Sequence, residues 1–376
     1  MRLRVERDEV ADIWKEHQKR ESAKIEAEAM ASRVAIAGAG MTGSYLYRLL
    51  ESQGMKADIY GDAVNHAACG INPCAWGSTS SFRQHVRAAG LDPEQYVFKD
   101  FRVVNFEGVD MRAHLLTFDK PRLINDLRKG VEVLGGPVPP RRYERVIDAT
   151  GLRRAYLPRI KDDLLVPCVQ YRVRRERADS SKVVIQYGNL GYSWMFPLSD
   201  NEFHIGAGSV LADPKETLRE SGFMKAEGKI LCGCSGKVRS TSPLGSQPFV
   251  SIDSALGRQV WGVGESIGAV APIAGEGIAP GMASARLLVA NWDSPGRYTS
   301  RILKEFSWMI DERKVVGKVA AGQRLGLRDW LILRRTGRRM GAPVSLGETR
   351  ELLKCLTKTK QSTSLKDASI LNECVK

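Results

Sequence analysis

Arg33-Val34-Ala35-Ile36-Ala37-Gly38-Ala39-Gly40-Met41-Thr42-Gly43 is the stretch whose reading decides the fold. A short apolar run, 33–37, enters a glycine-rich turn. Residues 43–54 then read as a helix with Leu46, Leu49 and Leu50 on one face and Gly54 as its stop, and 57–60 read as a second strand. Strand, glycine turn, helix and strand in that order are the context a dinucleotide fingerprint requires. Gly38 permits the tight turn, Gly40 lets the backbone approach phosphates, and Gly43 lets helix and strand pack closely. Unpaired N–H groups and the helix dipole at Met41, Thr42 and Gly43 favour a pyrophosphate. A carboxylate for the ribose is expected about 20 residues on. Gly61 stands where it would first be sought, so either Asp62, one residue later, or a backbone group takes that role; mid-strand Asp58 is a poorer candidate.

Working outward, residues 101–106 and 112–118 read as strands, 121–130 as a helix, and 145–148 as a short strand that ends at Asp148-Ala149-Thr150-Gly151. Segments 167–175, 182–187, 192–196 and 203–207 alternate apolar with polar residues between turns, which suggests a mostly antiparallel sheet. Residues 259–263 return to a buried-strand pattern, followed by Gly264-Glu265, Ala271-Pro272 and Gly275-Glu276-Gly277-Ile278, then a helix at about 278–291. The fold class expected is α/β: a Rossmann-type domain interleaved with an antiparallel-sheet domain, plus a C-terminal helical region. The boundaries expected are 1–32 for an N-terminal helical extension, 33–165 with 250–296 for the dinucleotide domain, 166–249 for the substrate domain, and 297–376 for the basic C-terminal region.

Composition narrows the class. A chain of 376 residues, 43% hydrophobic, is long enough to bury a substantial core. The net charge of +14 makes anionic partners plausible. That excess is uneven: residues 301–340 hold eleven Lys/Arg against four Asp/Glu, whereas 1–33 hold eight of each sign. The charged start has no apolar core of a signal peptide, and no run reaches the roughly 18 apolar residues of a membrane span. The expected location is the cytoplasm, with a peripheral place on the inner face of the membrane left open. Trp330-Leu331-Ile332-Leu333 lies among Arg328, Arg334, Arg335, Arg338 and Arg339, which suits an anionic lipid surface or, equally, a packed helix with a solvated basic face.

The glycine turns together resemble the flavoprotein superfamily that includes para-hydroxybenzoate hydroxylase and the geranylgeranyl reductases. The resemblance implies FAD as cofactor. In that superfamily an Asp-Ala-Thr-Gly turn flanks the dinucleotide, here Asp148, Thr150 and Gly151. A later Gly-Asp pair meets the ribityl chain, here Gly264 and Glu265, with Glu where the family usually has Asp. The turn through Pro272, Gly275, Gly277 and Ile278 is implied to lie beside the isoalloxazine. Tyr192-Ser193-Trp194-Met195-Phe196-Pro197, followed after eight residues by Gly206-Ala207-Gly208, is similar to the aromatic motif of geranylgeranyl reductases. Alternation puts Tyr192, Trp194 and Phe196 on one face, either an aromatic core stripe or a wall for a long apolar substrate. With Pro197, Gly206 and Gly208 they are the candidate substrate residues. Cys69-Gly70 matches a Cys-Gly pair that lies near the flavin in those reductases, so Cys69 is the candidate catalytic residue. Arg83 and Arg87 either contact the FAD phosphates, as an arginine of this region does in related flavoproteins, or face solvent.

The activity implied is saturation of isoprenoid carbon–carbon double bonds by reduced FAD. The alternatives are a flavin monooxygenase of an aromatic or polyene substrate and a basic nucleic-acid-associated flavoprotein. The aromatic residues are not interleaved with the basic segment, so no nucleic acid is expected. One dinucleotide fingerprint leaves the electron donor open among NADPH, ferredoxin and another carrier. His66 and His204 read as structural. A disulfide between Cys69 and Cys74 is not favoured, and Cys232 and Cys234 have no nearby His, so no metal is expected.

Overall fold

In the computed structural model the described residues are 34–61, 74–139, 143–188, 191–225, 227–254 and 257–343. The expected N-terminal helix, Asp62, His66, Cys69, Gly70 and the tail after 359 lie outside them.

Two sheets organise the chain. The smaller is built from β1 (Val34–Ala37), β2 (Ala57–Tyr60), β6 (Arg145–Asp148), β12 (Val250–Asp253) and β13 (Arg258–Gly262), in the order β12-β13-β6-β1-β2. Three of its four pairings run parallel, and β12 returns antiparallel to β13. Every residue of β1 is buried, as a strand covered on both faces must be. Ile36, Ile59, Ile147 and Trp261 share one face, against α1 (Met41–Ser52) and α5 (Ile278–Ala290). Ala35, Ala37 and Val146 share the other with Tyr60, Val138 and Tyr143. Helix α1 buries Tyr45, Leu46, Leu49 and Leu50. It begins at Met41, two residues before the expected start, so the glycine turn is correspondingly tight.

The larger sheet has eight strands: β3 (Gly77–Thr79), β4 (Val97–Phe106), β5 (Val109–Phe118), β7 (Leu165–Arg174), β8 (Val183–Gly188), β9 (Gly191–Pro197), β10 (Glu202–Ser209) and β11 (Lys229–Arg239). The order is β11-β7-β10-β9-β8-β4-β5-β3, antiparallel except where β4 meets β8. The sheet thus also takes in 77–118, a span that the sequence grouped with the dinucleotide domain. One face carries Val169, Val173, Phe203 and Ile205, covered by Leu218 of α4 (Pro214–Glu220) and by Phe223. The other carries Phe101, Val104, Met111, Ile185 and Trp194.

Helices α2 (Ser81–Ala88) and α3 (Lys120–Leu127) flank the strands 97–118 in sequence. The basic region forms α6 (Pro295–Glu305), α7 (Ser307–Ala320) and α8 (Leu327–Arg339). Among the described residues no helix is long and apolar enough to cross a membrane.

Candidate functional site

Ala37, Asp148 and Gly262 lie side by side in the register of β1, β6 and β13. Three parallel strands therefore end at one edge, and each opens into one of the three small-residue turns. The carboxyl edge of a parallel sheet is where α/β folds bind ligands.

The turns interlock through missing side chains. Gly38 has φ +113°, and a Cβ there would stand 2.2 Å from the Ala149 carbonyl oxygen. A Cβ on Gly43 would stand 1.8 Å from the Gly38 oxygen. Gly264 packs on Thr42, whose Oγ1 would meet a Cβ at 2.8 Å. Only Gly40 is open: nothing lies within 4 Å of its Cβ position, and it is exposed at the N-terminus of α1. Three glycines hold the scaffold together, and the fourth leaves the approach a phosphate needs.

Gly61 packs on this turn as well. A Cβ on it would lie 2.7 Å from that of Ala39, so no carboxylate fits at the expected position. Asp58 accepts a hydrogen bond from the Tyr143 hydroxyl at 2.5 Å and belongs to that network.

Asp148 is fully buried and serves the turn itself. Its Oδ1 accepts from the Thr150 amide and hydroxyl, and its Oδ2 from the Tyr156 and Leu157 amides. Its carbonyl accepts from the Ser266 hydroxyl at 2.6 Å, which ties the second turn to the third. Glu265 reaches further than an aspartate would. Its Oε1 accepts the Arg239 amide at 2.8 Å, across to β11, while Oε2 lies 3.2 Å from a Cβ placed on Gly151. Burial pushes this carboxyl up, and the Arg239 amide and guanidinium oppose that shift.

Two arginines of this site have no sequence signature. Arg239, 2% exposed, pairs with Asp163 at 2.9 Å and donates to the carbonyls of Gly151, Leu152 and Glu265. Arg128, at the end of α3, donates to the Ala39 carbonyl of the glycine turn at 3.4 Å. Arg83 is instead held by Glu94 and Asp100, and Arg87 lies exposed 3.8 Å from Glu94.

The aromatic strand meets the third turn. Tyr192, Trp194 and Phe196 lie on one face of β9, with Tyr192 opposite Gly208 and Trp194 opposite Gly206. The Trp194 ring covers Gly206, where a Cβ would meet it at 2.4 Å, and its indole N–H donates to Gln170 Oε1. Phe196 covers Gly77 in the same way. The Pro197 carbonyl accepts from the Thr117 hydroxyl. The Tyr192 hydroxyl donates to the Ala274 carbonyl at 2.5 Å, between Pro272 and Gly275. Phe106 and Tyr187 extend the aromatic row, with ring centroids 6.1 Å apart. Trp194 is buried, while Tyr192 and Phe196 keep part of their surface. Cys168 sits under Gly208, and burial pushes its thiol up to about 12. His204 is buried edge-on against Trp76, and burial lowers it to about 3, so it is a neutral core residue.

In the third turn Glu276 Oε1 accepts from the Ile278 and Ala279 amides, the first of α5, and from the Ser78 hydroxyl. Burial raises this carboxyl to about 7. Glu312 of α7 joins the turn from the C-terminal region: it accepts from the Thr336 hydroxyl at 2.5 Å and from the Ile273 amide at 3.5 Å.

The fold is shared with solved structures that include a flavoprotein/dehydrogenase and a probable FAD-dependent monooxygenase. No family model matches the sequence. An uncharacterised protein of Methanocaldococcus jannaschii is 24% identical over 339 residues, covering 76% of this chain and 91% of that protein. Among solved structures, a geranylgeranyl bacteriochlorophyll reductase-like protein of Thermoplasma acidophilum superposes with a TM-score of 0.63 at 16% identity, over 88% of this chain and 96% of its own. A flavoprotein/dehydrogenase of Cytophaga hutchinsonii gives 0.59 at 12%, over 88% and 99%. A probable FAD-dependent monooxygenase of Pseudomonas aeruginosa gives 0.55 at 16%, over 81% and 99%.

Proposed function

We propose that this chain is an FAD-dependent reductase that saturates carbon–carbon double bonds of an isoprenoid, a geranylgeranyl-type lipid or diphosphate. The observation that carries the reading is the hydrogen bond from Tyr192 to the Ala274 carbonyl, which seats an aromatic face on the turn assigned to the flavin. When bound, reduced FAD supplies hydride to one alkene carbon.

The chain's own residues bind, orient and shield. Gly38, Gly40, Met41, Thr42 and Gly43 take the pyrophosphate, with Arg128 at their side. Asp148, Thr150 and Gly151 shape the second wall. Gly264 and Glu265 face the ribityl chain, and Pro272, Gly275, Gly277 and Ile278 the ring. Asp62 and Gly70 are assigned to the cofactor, and the Cys69 thiol to proton delivery. Tyr192, Trp194 and Phe196 supply apolar area that holds a polyene and excludes water. Reducing equivalents come from NADPH, ferredoxin or another carrier.

A lipid substrate places the protein at the cytoplasmic membrane face. Helix α8 exposes Leu327 and Leu331 beside Arg328, Arg335 and Arg338, a face suited to anionic headgroups. Co-sedimentation with anionic but not neutral vesicles is the expected outcome.

Flavin monooxygenation is the second reading, favoured by the fold shared with the Pseudomonas protein. The test is turnover of geranylgeranyl lipid in the absence of oxygen, followed by mass analysis, beside NADPH-dependent oxygen uptake in air. Anaerobic saturation supports the reductase; substrate-stimulated oxygen uptake without it supports the monooxygenase.

A further inference from the structure

Glu276 is a half-buried residue whose carboxylate has one oxygen engaged and one, itself buried, without a partner among the described residues. Oε1 is held by the Ile278 and Ala279 amides, at 3.2 and 2.9 Å, and by Ser78 at 3.2 Å. Oε2 is buried and has no hydrogen-bond partner among the described residues. The negative charge therefore sits on the positive end of a helix of 13 residues, in the turn assigned to the flavin ring. An ionised carboxylate with an unsatisfied buried oxygen is costly, and one proton on that oxygen relieves the cost.

Resting on the FAD reading above, we propose that Glu276 takes up a proton on Oε2 when the bound cofactor is reduced and releases it on reoxidation. Two electrons from an external reductant, with one proton from water, leave the cofactor one charge more negative. A second proton from solvent forms the O–H bond on Glu276 and restores the local charge; on reoxidation that bond breaks and the proton returns to solvent. Burial raises the carboxyl to about 7, so an added negative charge nearby favours the protonated form just above that pH.

One other carboxyl raised to about 7, Glu312, reaches the same turn, and the Glu276→Gln variant separates its titration from that of Glu276. From β3 the facing group is the Ser78 hydroxyl, and from α5 the two amides. From β9 Tyr192 reaches the same turn, and burial keeps its phenol protonated. From α7 Glu312 reaches Ile273, with the Arg339 charge acting on it from α8. Glu265, earlier in the same loop, is tied to Arg239. On α2, which also packs on α5, His85 is held neutral down to about 4 by burial, with Arg286 of α5 acting on it.

The test is potentiometry of the FAD-loaded protein from pH 7 to 8.5, with dithionite as reductant and dye mediators. Each proton taken up with the electron pair changes the equilibrium tenfold per pH unit, about 30 mV for two electrons. The wild type is expected to fall by about 60 mV per pH unit, and Glu276→Gln by about 30 mV. Equal slopes in the two proteins overturn the proposal, as does a wild-type slope of about 30 mV. If Glu276→Gln does not fold, Ser78→Ala decides: loss of that donor must move the onset of the steep region to higher pH, and an unmoved onset overturns the proposal. Failure to retain any FAD removes the cofactor reading; retained FAD with a shallow slope removes only this role of Glu276.

Discussion

Glu265 Oε1 accepts the main-chain N–H of Arg239 at 2.8 Å, and the Arg239 guanidinium donates back to the Glu265 carbonyl at 2.6 Å. This reciprocal pair fastens the edge strand of the larger sheet to the third glycine turn. It accounts for a glutamate at this position: its extra methylene, compared with an aspartate, spans the gap to β11.

Arg239 is therefore expected to be the most sensitive charged residue of the site. Arg239→Met removes the buried guanidinium from Asp163, which keeps the Thr241 hydroxyl, and from the Gly151, Leu152 and Glu265 carbonyls. Breaking one side of a buried pair costs about 3–5 kcal/mol. Urea unfolding is expected to show a loss of that order, whereas Arg87→Met, on an exposed side chain, is expected to change stability by no more than about 0.5 kcal/mol.

The glycines separate scaffold from ligand contact. Gly43→Ala drives a Cβ into the Gly38 carbonyl and is expected to lower stability by about 1–3 kcal/mol or more. Gly40→Ala meets nothing and is expected to stay within about 1 kcal/mol of wild type. It still obstructs the phosphate approach, so FAD titration is expected to show at least about a tenfold weaker Kd, worth about 1.4 kcal/mol. Unimpaired FAD binding by Gly40→Ala would contradict the assignment of the turn.

Glu312 gives a pH signature. Its carboxyl is raised to about 7 from an ordinary 4.5, chiefly by burial. Its contribution to stability is complete below pH 4.5 and is lost as the pH rises through 7, because the unfolded chain binds fewer protons in that window. Glu312→Gln keeps an acceptor for Thr336 and removes the titration. At pH 5 the variant is expected within about 1 kcal/mol of wild type, and at pH 8 more stable by about 1–3 kcal/mol. Parallel profiles across that range would show that Glu312 ionises freely.

Tyr192→Phe removes one hydrogen bond and keeps the ring. Stability is expected to fall by about 1 kcal/mol, with FAD content unchanged. KM for the isoprenoid is expected to rise with little change in kcat, because the loosened turn affects how the chain is held. A large loss of kcat at constant KM would place Tyr192 among the reacting groups.

The parts of this architecture legible in the sequence are those with local patterns. The glycine turn, the buried strands at 34–37 and 145–148, and the alternation that puts Tyr192, Trp194 and Phe196 on one face all follow from neighbours in the chain. The helix at Ile278–Ala290 was legible from its glycine-rich entry. Strand β11 was not: Lys229–Arg239 lies at a sheet edge, and its Cys, Gly and Ser residues mask the alternation. Arg239 and Arg128 were not legible either. Their partners come from segments as far as 88 and 89 residues away, and a lone arginine carries no mark of them. Gly61 shows the reverse case: the sequence revealed a missing carboxylate, and only the packing on Ala39 gives the reason.

The central claim is reduction of an isoprenoid double bond by the bound flavin, and single turnover without oxygen tests it most directly. The FAD-loaded protein is reduced with a stoichiometric amount of dithionite and mixed with a geranylgeranyl lipid. The expected result is return of the oxidised flavin absorbance, matched by product heavier by two hydrogens for each flavin reoxidised. A flavin that stays reduced, with substrate of unchanged mass, would contradict the account.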